Sequence, residues 1–240
     1  MEETLALFAI GDTGWGDELL RGLQMTVMLA LVSYAIGFLI GLLGAAAKLS
    51  KYAALRGAAE GYTTIIRGVP EILIVFLIFF GGSIALQNIL QLIGYTEYIE
   101  INQFAAGVVA LATVSGAYQT EVLRAGILAV PKGQIEAARA VGMPGLLLFR
   151  RIMLPQVLRY ALPALGNLWL VMLKDTAIIS VVGLEELIRA TDVAGRSSRM
   201  PFTFFMAAAL LYLALTAVSM AGIQLLERFT MRGVRPMAKS

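Results

Sequence analysis

The chain has 240 residues, of which 59% are hydrophobic and only 15% charged, with a formal net charge of +3. An ordinary soluble domain carries about a quarter charged residues, so a water-soluble core of this size could not hide so much apolar surface, and lipid is the natural solvent. Cysteine and histidine are both absent, which excludes a disulfide framework, a thiolate metal site and the usual imidazole proton shuttle.

The chain begins with an acidic stretch, Met1–Glu18, that holds no lysine or arginine. A secretory signal would start basic and end its short apolar core at a small-residue cleavage site, so the first apolar run is expected to stay as a helix. Five uncharged or nearly uncharged runs follow in order: Gly22–Ala47, Ile72–Thr96, Ile101–Thr120, Tyr160–Leu184 and Met200–Leu226. Each is near or above the roughly 20 residues a helix needs to cross the hydrocarbon, whereas spanning strands would be half as long and alternating. The expected fold class is all-α integral membrane, with five transmembrane helices.

Basic residues orient the chain. The loop after the first span holds Lys48, Lys51, Arg56 and Arg67; the loop after the third holds Arg124, Lys132, Arg139, Arg150, Arg151 and Arg159; the C-terminal tail holds Arg228, Arg232, Arg235 and Lys239. The other side has only Arg21, Arg189, Arg196 and Arg199. The positive-inside rule places the richer side in the cytoplasm, so the N-terminus is expected outside and the C-terminus inside. The tail's scattered charges need only lipid headgroups, and no nucleic-acid surface is expected.

In the first span, Gly37, Gly41 and Ala45 recur every four residues with Gly44 beside them, a pattern that lets helix backbones approach closely. Residues Ala46–Gly68 read as a partly helical cytoplasmic segment. Pro70 and Glu71 fit the start of the second helix, the proline lacking an unneeded donor and the acid meeting the positive dipole end. Gly81-Gly82 marks a bend, and a short acidic outer loop carries Glu97 and Glu100. After the third span, Glu121 and Arg124 are spaced to pair on one helix face, as a headgroup ion pair or as part of a gate. In the fourth span Lys174 lies about 20 Å along from Tyr160, where a charge costs at least ~2.5 kcal/mol on insertion scales. It sits next to Asp175, about 100° round the helix, so the two cannot neutralise each other on one face. A watery cavity for at least one of them is expected, the competing reading being Lys174 snorkelling outward. Glu185–Arg199 reads as an outer segment with a turn at Gly195-Arg196-Ser197-Ser198, and the fifth span as structural.

Between the third and fourth spans, residues 130–160 form a basic loop. Pro131 ends the third helix region and Gly133 permits a sharp turn. Gln134–Val141 fits two helical turns, and Gly142 suits the left-handed residue that closes a helix. Pro144 pre-sets a second short helix carrying Arg150 and Arg151, and Leu154-Pro155 is expected to break it and begin the fourth span. Ala137, Ala138 and Ala140 supply a surface of small side chains.

The run Glu136-Ala137-Ala138, with Gly142 after three intervening residues and Ile152, Leu154 and Pro155 after nine more, resembles the "EAA" motif of membrane subunits of bacterial ABC importers. The chain is similar throughout residues 22–228 to the polar-amino-acid branch, nearest the Q-type subunits of histidine/lysine/arginine and opine permeases. The residues that carry this are Arg67-Gly68-Val69-Pro70, Gly116-Ala117-Tyr118, Thr120-Glu121, Arg124-Ala125-Gly126, Val130-Pro131-Lys132-Gly133 and Ala161-Leu162-Pro163. The resemblance implies a type I importer membrane domain with five helices per subunit. It divides the chain into a periplasmic segment 1–21, the transporter domain 22–228 with a coupling loop at about 130–155, and a cytoplasmic tail 229–240. It implies a coupling helix around Glu136–Gly142 seated in a groove of a cytosolic ATPase dimer that itself binds ATP and magnesium. A second membrane subunit, M-type or a second copy, and a periplasmic amino-acid-binding protein complete the expected partners.

The chain holds no Gly-x4-Gly-Lys-Ser/Thr phosphate loop, so it is not expected to be the ATPase, nor an enzyme with a cofactor or metal of its own. Five spans cannot split into equal inverted halves, which weighs against the rival of a self-contained secondary carrier or channel. A membrane scaffold that only recruits an ATPase is the other rival. For the cargo, Lys174 and Asp175 are a cation and an acceptor of the types a zwitterion needs, with Trp169 as a wall and Tyr118 and Glu121 further along the pathway. Basic amino acids or an opine fit best, in the bacterial inner membrane.

Overall fold

The computed structural model describes residues 6–11, 14–92, 94 and 102–231. The acidic loop with Glu97 and Glu100 lies outside the described residues, as does the tail with Arg232, Arg235 and Lys239. Among the described residues the only regular elements are helices: α1 (Gly16–Lys48), α2 (Ala53–Gly68), α3 (Glu71–Leu92), α4 (Gln103–Leu128), α5 (Lys132–Ala140), α6 (Gly145–Val182), α7 (Leu187–Ser197) and α8 (Pro201–Thr230). Four of them, α1, α3, α6 and α8, are long and apolar enough to cross a membrane by length and composition. The third expected span falls on α4, whose 26 residues are long enough but include Gln103, Thr113, Ser115, Gln119, Thr120, Glu121 and Arg124.

The start and end signals are local. Asn102 caps α4 by accepting from the backbone N–H groups of Phe104 and Ala105 at 2.8 and 3.2 Å. Pro70 immediately precedes α3, and Pro201 opens α8. α3 widens to a π-helical turn over Leu77–Gly81, at the expected glycine pair. α6 closes as a tight 3₁₀ turn over Thr176–Val182 and stops at Gly183, whose φ of 95° belongs to the left-handed region.

α4 is the axis of the bundle. It packs along α1 most extensively, and α2, α3 and α6 cover its other sides. The spaced small residues of α1 produce this fit. A Cβ on Gly37 would meet Ser115, one on Gly41 would meet Gln119, and one on Gly44 would collide with Thr120. Around the middle of α4 the main core gathers Leu29, Val75, Leu111, Leu173 and Ile179, and a smaller one joins Ala45, Leu123, Ala161 and Leu165 toward the α5 end. A third, of Leu19, Leu187, Ala194, Phe204 and Ala208, holds α7 between α1 and α8.

Three local expectations are overturned. Gly133 is not a turn residue: α5 already includes it, the turn being made by Val130 and Pro131 before the helix starts. Leu154-Pro155 does not break the chain, because α6 runs through it. A π-helical turn over Phe149–Met153 lets the Leu154 N–H reach back to Phe149, and this wider turn takes up the proline without ending the helix. Gly195-Arg196-Ser197 is the last turn of α7; the reversal comes at Arg199, with φ of 56°.

Candidate functional site

Among the described residues, three places in the bundle bring polar side chains together. The first is a cavity of about 220 Å³ between α3, α4 and α6, lined by Glu71, Leu111, Val114, Ser115, Tyr118, Leu168, Val171, Met172 and Asp175. Its wall is mostly apolar, with the carboxyl groups of Glu71 at the first turn of α3 and Asp175 at the end of the α-helical part of α6. Two carboxyl groups thus share a mostly apolar wall, surroundings in which a cationic group is their natural partner.

The sequence candidates divide across this region. Asp175 and Tyr118 line the cavity. Lys174 does not; it is exposed on another side of α6. Trp169 packs edge-on against Tyr34, ring centroids 5.5 Å apart, and supports the wall from behind. Glu121 lies one turn beyond Tyr118 in an ionic cluster: it pairs with Lys48, with Arg124 at 3.1 Å and with Arg67 at 4.0 Å, while Lys48 also holds Glu60 at 2.8 Å. The Lys48 side chain is only 4% exposed, so this cluster ties α1, α2 and α4 together below the cavity. Arg67 links this cluster to the cavity by standing over the Tyr118 ring, 5.5 Å from its centroid. Glu71, Ser115 and Lys48 were not among the residues singled out for the cavity or its gate. Glu71 follows the motif run Arg67–Pro70 directly, and that adjacency was the available signal.

The second region is the hairpin of α5 and the start of α6. Gly142 has φ of 75°, and the two bonds that close α5 run from the Gly142 N–H to Arg139 at 2.9 Å and from the Met143 N–H to Ala138 at 3.0 Å. This is the pattern of a helix ended by a left-handed glycine. Glu136, Ala137 and Gly142 are exposed; Ala138 is buried against the hairpin; Ile152 and Pro155 are half-buried, and Leu154 is exposed. Gln156 ties the hairpin together, donating to Gln134 at 2.6 Å and to the Ile152 carbonyl at 2.9 Å. Val141 and Leu146 stand 79% and 80% exposed beside it, an apolar surface of the kind that a protein partner covers.

A third polar point had no counterpart in the sequence reading. Glu186, fully buried, caps α7 by accepting from the Arg189 N–H at 2.9 Å, and accepts from Thr26 of α1 at 3.3 Å and Tyr212 of α8 at 3.4 Å. Burial raises its carboxyl above the usual range, against the hydrogen bonds it receives.

Residues 33–232 match the family described as "Binding-protein-dependent transport system inner membrane component". The chain is 50% identical over 232 residues to the nopaline transport system permease protein NocQ of Agrobacterium fabrum, covering 96% of this chain and 98% of that one. It is 46% identical over 222 residues to the histidine/lysine/arginine/ornithine transport system permease protein HisQ of Salmonella typhimurium, covering 92% and 97%. In structure it is similar to an amino acid ABC transporter crystallised with histidines, with a TM-score of 0.76, 36% identity and coverage of 90% of this chain and 95% of the other. With an all-helical bundle, four strongly apolar helices and a match over residues 33–232, the chain belongs to the family of inner-membrane components of binding-protein-dependent transport systems.

Proposed function

We propose that this permease subunit carries basic amino acids or opines through the cavity between α3, α4 and α6, driven by ATPase subunits that seat α5. The observation that carries the cargo assignment is the pair of carboxyl groups, Glu71 and Asp175, on an otherwise mostly apolar cavity wall. A charge in such surroundings is favourable only with a partner, and a guanidinium or ammonium group supplies it. The names of the relatives, nopaline, octopine and histidine/lysine/arginine/ornithine permeases, agree with this class.

In this reading the chain crosses the membrane five times: α4 joins the four strongly apolar helices as the third span in chain order, because α1, α2, α3 and α6 shelter its polar residues from lipid. The Lys and Arg distribution sets the N-terminus outside and the C-terminus in the cytoplasm. α5, with Glu136, Ala137, Ala138 and Gly142, serves as the coupling helix, and Ile152, Leu154 and Pro155 fix its hairpin to α6. ATP and magnesium reside in the partner ATPase dimer. An M-type subunit or a second copy completes the membrane core, and a periplasmic binding protein delivers the cargo.

The test is to purify the chain with its natural partners in lipid and measure which amino acids stimulate ATP hydrolysis. Lysine, arginine, histidine or opines are expected to stimulate. The double variant Glu71→Gln with Asp175→Asn is expected to lose the response while the complex stays assembled. Stimulation by acidic or apolar amino acids alone, or an undiminished response in the double variant, would count against the assignment.

A further inference from the structure

Ser115 and Gln119 lie one helical turn apart on α4, and Ser115 forms part of the cavity wall. Gln119 has no exposed surface; its amide nitrogen donates to Ser115 Oγ at 2.7 Å and stands 3.4 Å from the Tyr34 carbonyl oxygen. That carbonyl can only accept, so it is the nitrogen of the amide, and not its oxygen, that faces this side. Ser115 Oγ is thus an acceptor in the bond to Gln119, and its own hydrogen is left for another partner. Helical Ser and Thr often return that hydrogen to the carbonyl four residues back, as Thr113 does to Val109 at 2.7 Å and Thr120 to Gly116 at 2.8 Å. Among the described residues Ser115 donates to no protein acceptor. As packing alone, Gln119 is an unfavourable occupant of its site: its Oε1 is buried and accepts nothing from the described residues. What it supplies is a fixed donor that turns the Ser115 hydroxyl outward.

We propose that Ser115 is a specificity-determining donor for the carboxylate of the amino-acid cargo and that Gln119 is its positioning residue, an inference that rests on the cavity being the substrate site. The arrangement gives the cargo a direction. Its cationic groups face Glu71 and Asp175, and its carboxylate meets α4 at Ser115. A basic amine with no carboxylate would satisfy only the first half.

The experiment uses the complete membrane complex in lipid nanodiscs, with two probes: L-arginine, and agmatine, which keeps the guanidinium and an amine but has no carboxylate. Wild type is expected to bind L-arginine more tightly than agmatine. In complexes that still assemble, Ser115→Ala and the nearly isosteric Gln119→Met are each expected to lower arginine affinity about tenfold, to leave agmatine binding unchanged, and so to shrink the preference about tenfold. If both variants keep the wild-type preference while Glu71→Gln loses both probes, the carboxylate assignment is wrong and the cavity reading stands. If wild type binds neither probe, or Glu71→Gln and Asp175→Asn bind both as wild type does, the cavity reading falls and this proposal falls with it.

Discussion

The close approach of α1 and α4 makes a prediction in which two glycine-to-alanine changes have opposite signs. At Gly41 an added Cβ would lie 2.8 Å from Gln119 Cβ, 3.2 Å from the Gln119 carbonyl carbon and 3.3 Å from the Thr120 nitrogen. Carbon atoms rest comfortably at about 3.5–4.0 Å, and two of these three neighbours are backbone, which cannot swing away. α1 and α4 must therefore part by about 1 Å. Over-packing of this kind costs about 1–3 kcal/mol, and the gain of replacing a mid-helix glycine by alanine returns about 0.5–1 kcal/mol. Gly41→Ala should thus destabilise the purified chain by about 1 kcal/mol, the difference between the mid-points of those two ranges. Gly57 in α2 has no atom within 4 Å of its added Cβ, so Gly57→Ala should keep only the gain and stabilise by about 0.5–1 kcal/mol. The assay is unfolding of the chain in detergent micelles by added sodium dodecyl sulfate, followed by tryptophan fluorescence. A Gly41→Ala chain as stable as wild type would show that α1 and α4 have room between them, and would refute the small-residue fit.

Three further outcomes are expected. Lys48→Met removes the buried cation that Glu60 and Glu121 share and should destabilise by about 1–3 kcal/mol, with Glu121→Gln in the same chain restoring part of the loss, as read by the same unfolding assay. Because burial raises the Glu186 carboxyl above its ordinary value of 4.5, the folded chain holds that proton at pH values where the unfolded chain has released it. Wild-type stability should therefore fall as pH rises from about 4.5, and Glu186→Gln should flatten that slope; a slope left unchanged by the substitution would place the titration elsewhere. Gly142→Asp puts a side chain at φ of 75° and a negative charge at the negative end of α5. It should abolish co-purification of the ATPase while membrane insertion, measured by carbonate extraction, is kept.

Hydropathy and charge made the helical, membrane-bound character readable, because the spans are long and the basic residues unevenly placed. The hairpin around Gly142 was readable for a different reason: a left-handed glycine and a proline one residue apart from a helix start are local signals that tertiary contacts rarely override. Pro155 was misread because the same local rule ignores a remedy available to a long helix, the π-helical turn at Phe149–Met153, which absorbs a proline without a break. Glu71 was read only as a helix-start acid because nothing in the local sequence says that Leu111, Tyr118 and Asp175 stand across from it. Lys174 drew attention as the costly charge, yet of the adjacent pair it is Asp175 that faces the cavity. The 100° step between neighbours predicted that they would separate, but not which would turn inward. Glu186 was invisible for the same reason as Glu71: its partners, Thr26 and Tyr212, are far away in the chain.

The composition of α4 follows from its place. A lipid-facing helix could not hold Ser115, Gln119, Thr120, Glu121 and Arg124 within three turns, since each polar group would lack a partner in hydrocarbon. On α4 nearly all of them find one: Gln119 with Ser115 and Tyr34, Thr120 with the Gly116 carbonyl, Glu121 with Lys48 and Arg124. The helix thereby carries three kinds of contact along one rigid rod. Ser115 and Tyr118 face the cavity, Glu121 enters the ionic cluster with α1 and α2, and Leu128 leads within a few residues into the α5 hairpin. From Ser115 to Leu128 the rod measures about 20 Å at 1.5 Å per residue. A push on α5 has therefore two routes to the cavity, the rod itself and the α6 helix joined to α5 through Gln134 and Gln156. The Gln134–Gln156 bond enters α6 past the π-helical turn and Pro155, on the cavity side of both, and α4 is an unbroken α-helix. On the proposed coupling role of α5, substitutions that break the Gln134–Gln156 bond should change the coupling of ATP hydrolysis to transport more than they change cargo affinity.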